Sequence, residues 1–288
     1  MTDSPAVAPM TKPTDSVAAV VRERWNSTNG TAIYIPGDGG VAQVILPPVL
    51  DDSVPKPGTV ELPSGAAPTS VDLFSPSGRL GTVRLGDYSA AAQPAPVEGC
   101  DAWPVVPIRA AAGTAIQGWR IALKAGVAEP LHADSIGAVT RTDSADLVVQ
   151  INKAAALLQL DSAGVLARVP FGVTKAYKLR LPGDVDAIIA VVERRLNVEA
   201  SPRVERTVLL LERPAGAPTY NAVWRDTQYA AEDDLIAVDL LGVVLLKDEN
   251  RPTVFLGLDF GDGTRVQMLQ RSNGRTWSLR WASAYTGC

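Results

Sequence analysis

From Thr253 to Cys288 apolar and polar residues alternate around two glycine turns, the period-two pattern of an antiparallel sheet. Asn273-Gly274 is a strong hairpin signal, because a type I′ turn needs positive φ at both central residues. A two-residue loop there predicts Gln270 opposite Trp277, Met268 opposite Leu279 and Val266 opposite Trp281. Upstream, a two-residue Asp262-Gly263 loop would mix the faces. A three-residue loop from Gly261 to Gly263 instead sets Leu258 against Val266, Leu256 against Met268 and Asp259 against Arg265. The predicted core face carries Leu256, Leu258, Val266, Met268, Trp277, Leu279 and Trp281, with Gln267 and Arg280 on the other.

Strand patterns recur earlier in the chain. Val71–Phe74 and Leu80–Leu85 flank the turn residues Ser75-Pro76-Ser77-Gly78, and further strands are predicted at Val105–Arg109 and Ala115–Leu123, after a small-residue loop from Ser89 to Ala102. Val173, Tyr177, Leu179 and Leu181 read as a half-buried strand, with others at 219–226, 235–246 and 253–260. One helix, about 143–159, follows from Leu147, Val148, Ile151, Ala154, Ala155 and Leu158, capped by Thr142, Asp143 or Ser144. Residues 185–198 fit a helix through Ile188, Ile189, Val192 and Leu196. Their β-branched content and the Ala200–Arg203 turn favour a strand hairpinned with Thr207–Leu211.

Three regions result. Residues 1–68 form a proline-rich extended arm, with a short helix from Thr14 or Asp15 through Val17, Val20 and Val21 to about Trp25. Residues 69–170 form a β-rich region containing the helix, and 171–288 an antiparallel β meander domain. The fold class is mainly β (α+β), its second half curling into a half or full barrel.

At 288 residues, 46% hydrophobic and 20% charged, the composition is that of a globular protein. A net charge of −4 argues against nucleic acid as a partner. The longest apolar run, Leu235–Leu246, is broken by Asp239 and reads as a buried strand, so the chain has no predicted transmembrane helix. Met1–Thr14 lacks the apolar core of a signal peptide, which taken literally means cytoplasmic; a leader already removed is the alternative.

The motifs favour structural readings. Gly37-Asp38-Gly39-Gly40 formally fits a dinucleotide loop, but Gln43–Pro48 cannot supply the helix that would hold a pyrophosphate, so a glycine turn between strands is predicted. Asp259-Phe260-Gly261 spells the kinase metal-binding tripeptide without the rest of that site. Asp259 and Asp262 fall short of calcium's 6–8 oxygens. His132, the only histidine, reads as a surface residue; a Cys100–His132 pair or a Ser–His–Asp set has no G-x-S-x-G motif behind it. Arg271, Arg275 and Arg280 beside Trp277 and Trp281 read as solvated arginines and core tryptophans rather than a stacking platform. Asn26 and Asn29 head formal glycosylation sequons. Cys100 and Cys288 are either two free thiols or one disulfide clipping the tail to the first half. No catalytic, cofactor-binding or metal-binding residue is assigned, no cofactor is implied, and the chain is read as a non-enzyme.

Trp277-Ser278-Leu279-Arg280-Trp281 with Ser283–Cys288 resembles the ending of uncharacterised bacterial envelope proteins of lipoprotein-like, β-rich type. In those a proline-rich segment joins an anchored or signal-bearing N-terminus to a β-rich body. The resemblance covers about the last hundred residues and implies a periplasmic location, or one peripheral to a membrane complex. Two functions are weighed. One is a structural or accessory subunit, docking through arm and body on other subunits of a larger, membrane-associated complex. An energy-converting or photosynthetic complex would be one example, with no residue specific to it. The other is a small-molecule-binding barrel or hydrolase holding its ligand with Tyr177, Trp224 or Tyr229.

Overall fold

A closed barrel, two facing sheets and one helix are stacked in series in the computed structural model. It describes residues 32–46, 70–94, 97–110, 116–138, 140–158, 166, 168–196, 202–272 and 275–288. The barrel is built from β1 (Ile33–Pro36), β2 (Val41–Ile45), β3 (Ser70–Ser75), β4 (Gly78–Leu85), β5 (Val105–Arg109) and β6 (Ile121–Lys124), in the order β1-β2-β5-β4-β3-β6. Tyr34, Leu73, Phe74, Trp103 and Val106 are all buried there.

Two short strands, β7 (Ala128–Pro130) and β8 (Ala133–Ser135), then carry the chain from one sheet edge to the other. The helix α1 (Arg141–Ala156) follows. A five-stranded sheet takes β8 with β9 (Gly172–Leu181), β10 (Val185–Leu196), β11 (Arg203–Pro214) and β12 (Asn221–Ala231), in the order β12-β11-β10-β9-β8. A six-stranded sheet takes β7 with β13 (Ala237–Leu246), β14 (Arg251–Asp259), β15 (Gly263–Arg271), β16 (Trp277–Ala282) and β17 (Thr286–Gly287). All the strand pairings are antiparallel.

The fold is therefore mainly β, as the hydrophobic pattern predicts, with one α-helix among the described residues. Residues 185–198 are a strand, and the turn at Ser75–Gly78 closes a hairpin. The helix starts earlier than predicted: the Thr140 hydroxyl, not one of residues 142–144, accepts the Asp143 amide as N-cap. Leu147, Ile151, Ala154 and Ala155 form its buried stripe, against Ile188, Ala190, Val192, Leu209 and Leu211. In place of a strand over Ala115–Leu123, a turn with Gly118 at φ 77° precedes β6, which begins at Ile121.

The segment 1–68 is more than an arm, since β1 and β2 are barrel walls with Ile33, Tyr34, Val44 and Ile45 buried. The predicted helix near 14–25, the two sequons and residues 47–69 lie outside the described residues. The closed barrel occupies the first half of the chain, while the meander of the second half is divided between two facing sheets.

The registers at the tail differ from those predicted. Phe260 N–H donates to Gly263 O at 2.9 Å and Gly261 has φ 88°, so the turn is a two-residue Gly261-Asp262 loop with the positive-φ glycine first. Leu258 thus faces Arg265, and Leu256 faces Gln267. In the next hairpin Ser272 N–H donates to Thr276 O and Arg275 has φ 63°, leaving 273–275 as the connection, one residue longer than a type I′ loop. Trp277 consequently lies opposite Arg271, Leu279 opposite Leu269 and Trp281 opposite Met268.

The predicted single core face fails for one reason: the six-stranded sheet is buried on both faces. Val254, Leu256, Leu258, Leu269 and Trp277 point into the core shared with the five-stranded sheet. Phe255, Val266, Met268 and Trp281 point toward the barrel. Between Leu279 and Trp281 the ladder bulges at Arg280, which sends the two tryptophans to opposite cores. Leu279 is 46% exposed at the edge.

The barrel seats on this sheet at Gly242, where an added Cβ would lie 3.1 Å from Ile121 Cγ2 and 3.8 Å from Phe74 Cβ. Gly242→Val should wedge the layers apart and destabilise the protein by about 1–3 kcal/mol, the usual overpacking cost. Thermal and urea unfolding check this, with a fall in midpoint at an unchanged urea slope as the expected outcome.

Candidate functional site

Polar side chains that could carry chemistry are concentrated where layers meet. Between the two sheets, Glu212 on β11 accepts Arg271 Nε at 2.7 Å, an Arg271 terminal N–H at 2.8 Å and Trp277 Nε1 at 2.6 Å. Glu212 is buried and Arg271 nearly so. The geometry is a bidentate arginine–carboxylate pair with a third donor. Arg271 is therefore not the solvated arginine predicted, because Glu212 lies 59 residues away in sequence and only the pairing of sheets brings them together. On the helix side of the five-stranded sheet, Arg194 and Glu205 form a buried ion pair at 2.9 Å. Arg194 also donates to Leu166 O and lies over the Phe171 ring.

On the barrel, buried Asp72 accepts Arg79 at 2.6 Å, the Thr82 hydroxyl at 2.6 Å and the Gly126 amide at 2.9 Å. Burial alone would raise its pKa, but the Thr82, Gly126 and Arg79 contacts outweigh it and hold the carboxyl below its ordinary range.

His132 sits at the junction of three layers, in the short link between β7 and β8. Its Nδ1 is 2.6 Å from Ser77 O at the tip of the β3–β4 hairpin, and its Nε2 is 2.8 Å from Asp134 Oδ1. Two acceptors suit the doubly protonated ring, and the Ser77 carbonyl followed by Asp134 raises its pKa.

Cys100 and Cys288 form a disulfide. Beside it Asp101 and Gly287 exchange two backbone hydrogen bonds at 2.8 Å, and the Thr286 hydroxyl donates to Asp101 O. Cys100 is therefore not available to His132 as a nucleophile. Gly263 and Gly287 let the tail lie against the Gly261-Asp262 turn: a Cβ at Gly263 would fall 2.1 Å from Thr286 O, and one at Gly287 2.2 Å from Asp262 O.

Other sequence candidates are likewise held in structural bonds. Asp259 Oδ1 accepts the Gly261 amide at 2.8 Å, and Asp262 accepts the Tyr285 hydroxyl at 2.6 Å, which pushes that phenol up to about 12. Gly39 and Gly40, at φ 71° and 80°, make the turn between β1 and β2. Among the described residues, no three His, Cys, Asp or Glu side chains form a group that could hold a metal.

Tyr177 does not converge with Trp224 and Tyr229. It is on β9 and they are on β12, with β10 and β11 between, about 14 Å at ~4.8 Å per strand. Between the facing sheets the gap lined by Tyr177 holds about 10 Å³, room for about one water. A second cavity, between barrel and sheet, holds about 90 Å³ and is lined by Ile33, Leu123, Phe255 and Met268, with Asp248 and Glu249. Both fall well short of the roughly 300–1,000 Å³ of ordinary ligand sites. No helix among the described residues is long and apolar enough to cross a membrane. Comparison with protein-family models, curated proteins and solved structures finds no match to this chain.

The clasp between sheets was not legible as a motif, since Glu212 looks like the end of an ordinary strand. Glu212→Leu should leave Arg271 charged and buried and cost about 3–5 kcal/mol, whereas Glu212→Leu with Arg271→Met should recover part of that loss in urea unfolding. For His132, the raised folded-state pKa means its stabilisation is complete below about pH 6.5 and fades as pH rises through the folded value. The ring is largely exposed, so the effect on stability is small. NMR titration should place its midpoint above that of an unfolded histidine, and Asp134→Asn should lower it.

Proposed function

We propose that this chain is a non-enzymatic structural subunit that works in an oxidising, extracytoplasmic compartment. It docks through its proline-rich N-terminal segment and β-rich body on other protein subunits of a larger, membrane-associated assembly. The observation that carries the reading is the use made of its reactive side chains. Cys100 is joined to Cys288, His132 is held by Ser77 and Asp134, and Glu212 is held by Arg271 and Trp277. Apart from the local His132–Asp134 contact, each of these bonds ties together segments distant in the chain.

A disulfide joining residues 188 positions apart suits secreted or periplasmic proteins, because cytosolic thiols are kept reduced. The resemblance of the tail to envelope proteins supports the same placement. A stack of four layers whose two described cavities are small suits a rigid spacer or platform better than a ligand container.

Affinity purification of the tagged full chain from its native envelope, in mild detergent and without reductant, tests this reading. A different protein recovered in fixed stoichiometry is the expected result. Recovery of this chain with no other protein in stoichiometric amount, under conditions that keep known envelope complexes intact, would overturn it.

A further inference from the structure

Among the described residues the sheets have four open edges, and three are short. The strands β7 and β8 have three residues each, while β16 has six and is bulged at Arg280. The fourth, β12, has eleven residues and pairs only with β11. Its ladder is irregular near Val223, but from Trp224 to Ala231 the pairing is continuous. It contains neither proline nor lysine, the residues that commonly block an edge. Tyr229 on this strand is 48% exposed. An edge of this length presents unpaired backbone donors and acceptors that can template another strand.

We infer that β12 pairs antiparallel with β12 of a second copy, joining two five-stranded sheets into one of ten strands about a two-fold axis at Thr227. The sequence of the strand disfavours the registers centred on the two residues just before Thr227 and supplies complementary pairs at Thr227 itself. A two-fold perpendicular to the sheet keeps each residue on its own face, so the axis must pass through a residue rather than between two. Centred on Asp226, the two Asp226 carboxylates would oppose each other; centred on Arg225, two guanidiniums would.

Centred on Thr227, no like charges meet. Asp226 then lies opposite the partner copy's Gln228, Trp224 opposite Ala230, and Arg225 opposite Tyr229. Gln228 already accepts the Ile236 amide through its carbonyl oxygen, which leaves its NH2 to donate toward Asp226. The bulky indole of Trp224 meets the small Ala230, and the Arg225 side chain meets an aromatic ring, each a favourable cross-strand pairing. The pair would cover residues 223–231, nine on each copy.

This inference goes beyond the docking reading and does not depend on it: the docking test looks for a different protein, whereas this one uses the purified full chain alone. Sedimentation equilibrium of the wild-type protein should give a dimer. Thr227→Cys should cross-link to itself on mild oxidation, because directly opposed strand residues have Cα atoms about 4.5–5.5 Å apart, within disulfide range. Asp226→Cys should not, being two residues out of register with its own copy.

Gln228→Glu keeps the acceptor for Ile236 but sets a carboxylate against Asp226 at both symmetric positions. It should weaken the dimer roughly tenfold, and adding Asp226→Lys should restore it. A wild-type monomer at submillimolar concentration, with no Thr227→Cys cross-link, would overturn the self-pairing. Cross-linking through Asp226→Cys instead would overturn the register, and a dimer unaffected by Gln228→Glu would place the contact elsewhere.

Discussion

The six-stranded sheet lies between two apolar cores, and the rest of the molecule follows from the demands this makes on its strands. A strand with one wet face needs apolar residues at every second position. Here alternate residues of β14 serve different neighbours: Val254, Leu256 and Leu258 face the second sheet, and Phe255 faces the barrel. The run Thr253–Leu258 is accordingly close to continuously apolar, although the sheet is antiparallel. Bulges adjust the assignment where simple alternation would send a side chain the wrong way. The irregularity between Leu240 and Gly242 lets Leu240 and Val243, three residues apart, face the same core, and the one at Arg280 separates Trp277 from Trp281. Gly242 supplies the close approach that lets the barrel rest on the sheet.

Stacking layers through apolar faces leaves their mutual orientation loosely specified, since hydrophobic contact is non-directional. The polar contacts between layers supply direction. Glu212 with Arg271 and Trp277 fixes one sheet on the other at a single bidentate geometry. His132 pins the barrel's β3–β4 turn to the segment that feeds both sheets, and the Ala133 amide bonds Pro76 O beside it. The disulfide and the Asp101–Gly287 bridge close the other end, tying the last strand to the chain that leads into β5. A buried pair such as Glu212–Arg271 contributes less net stability than its geometry suggests, because desolvation offsets much of the attraction. Its larger effect is to penalise every arrangement in which one partner is buried alone.

This division explains what could be read from the sequence. Hairpins with strong turn chemistry, such as Ser75–Gly78, and the helix stripe Leu147–Ile151–Ala154 depend on neighbours in sequence, and both were legible. The tail registers were not. The face assignment assumed one solvent-exposed side, and with both sides buried Leu256 and Met268 are equally apolar yet belong to different cores. Arg275, a non-glycine residue in the left-handed region, lengthened a turn that Asn273-Gly274 had suggested would be minimal. The glycine turn at Gly37–Gly40 was legible as a turn between strands, but the surrounding prolines placed those strands in an extended arm, because β1 and β2 are short and only the barrel's closure shows where they belong. Glu212 and Arg271 each look solvated in sequence, and only the topology makes them partners.

The same physics bears on where function can lie. A site needs groups free to act on something other than the protein itself. Among the described residues Cys100, His132 and Glu212 have protein partners, and the two cavities described between layers are small. Its outer surface is different. There a complete eleven-residue strand lies at a sheet edge, its inner side held by β11 and its outer side without a strand partner among the described residues. Backbone hydrogen bonds offered along such an edge recognise an extended chain with little regard to side chains, while the side-chain sequence decides register and identity. The rigidity built into the layers bears directly on this. An edge whose sheet packs between a second sheet and a helix loses little conformational entropy when it acquires a neighbour, so association through it can be favourable with a modest contact area.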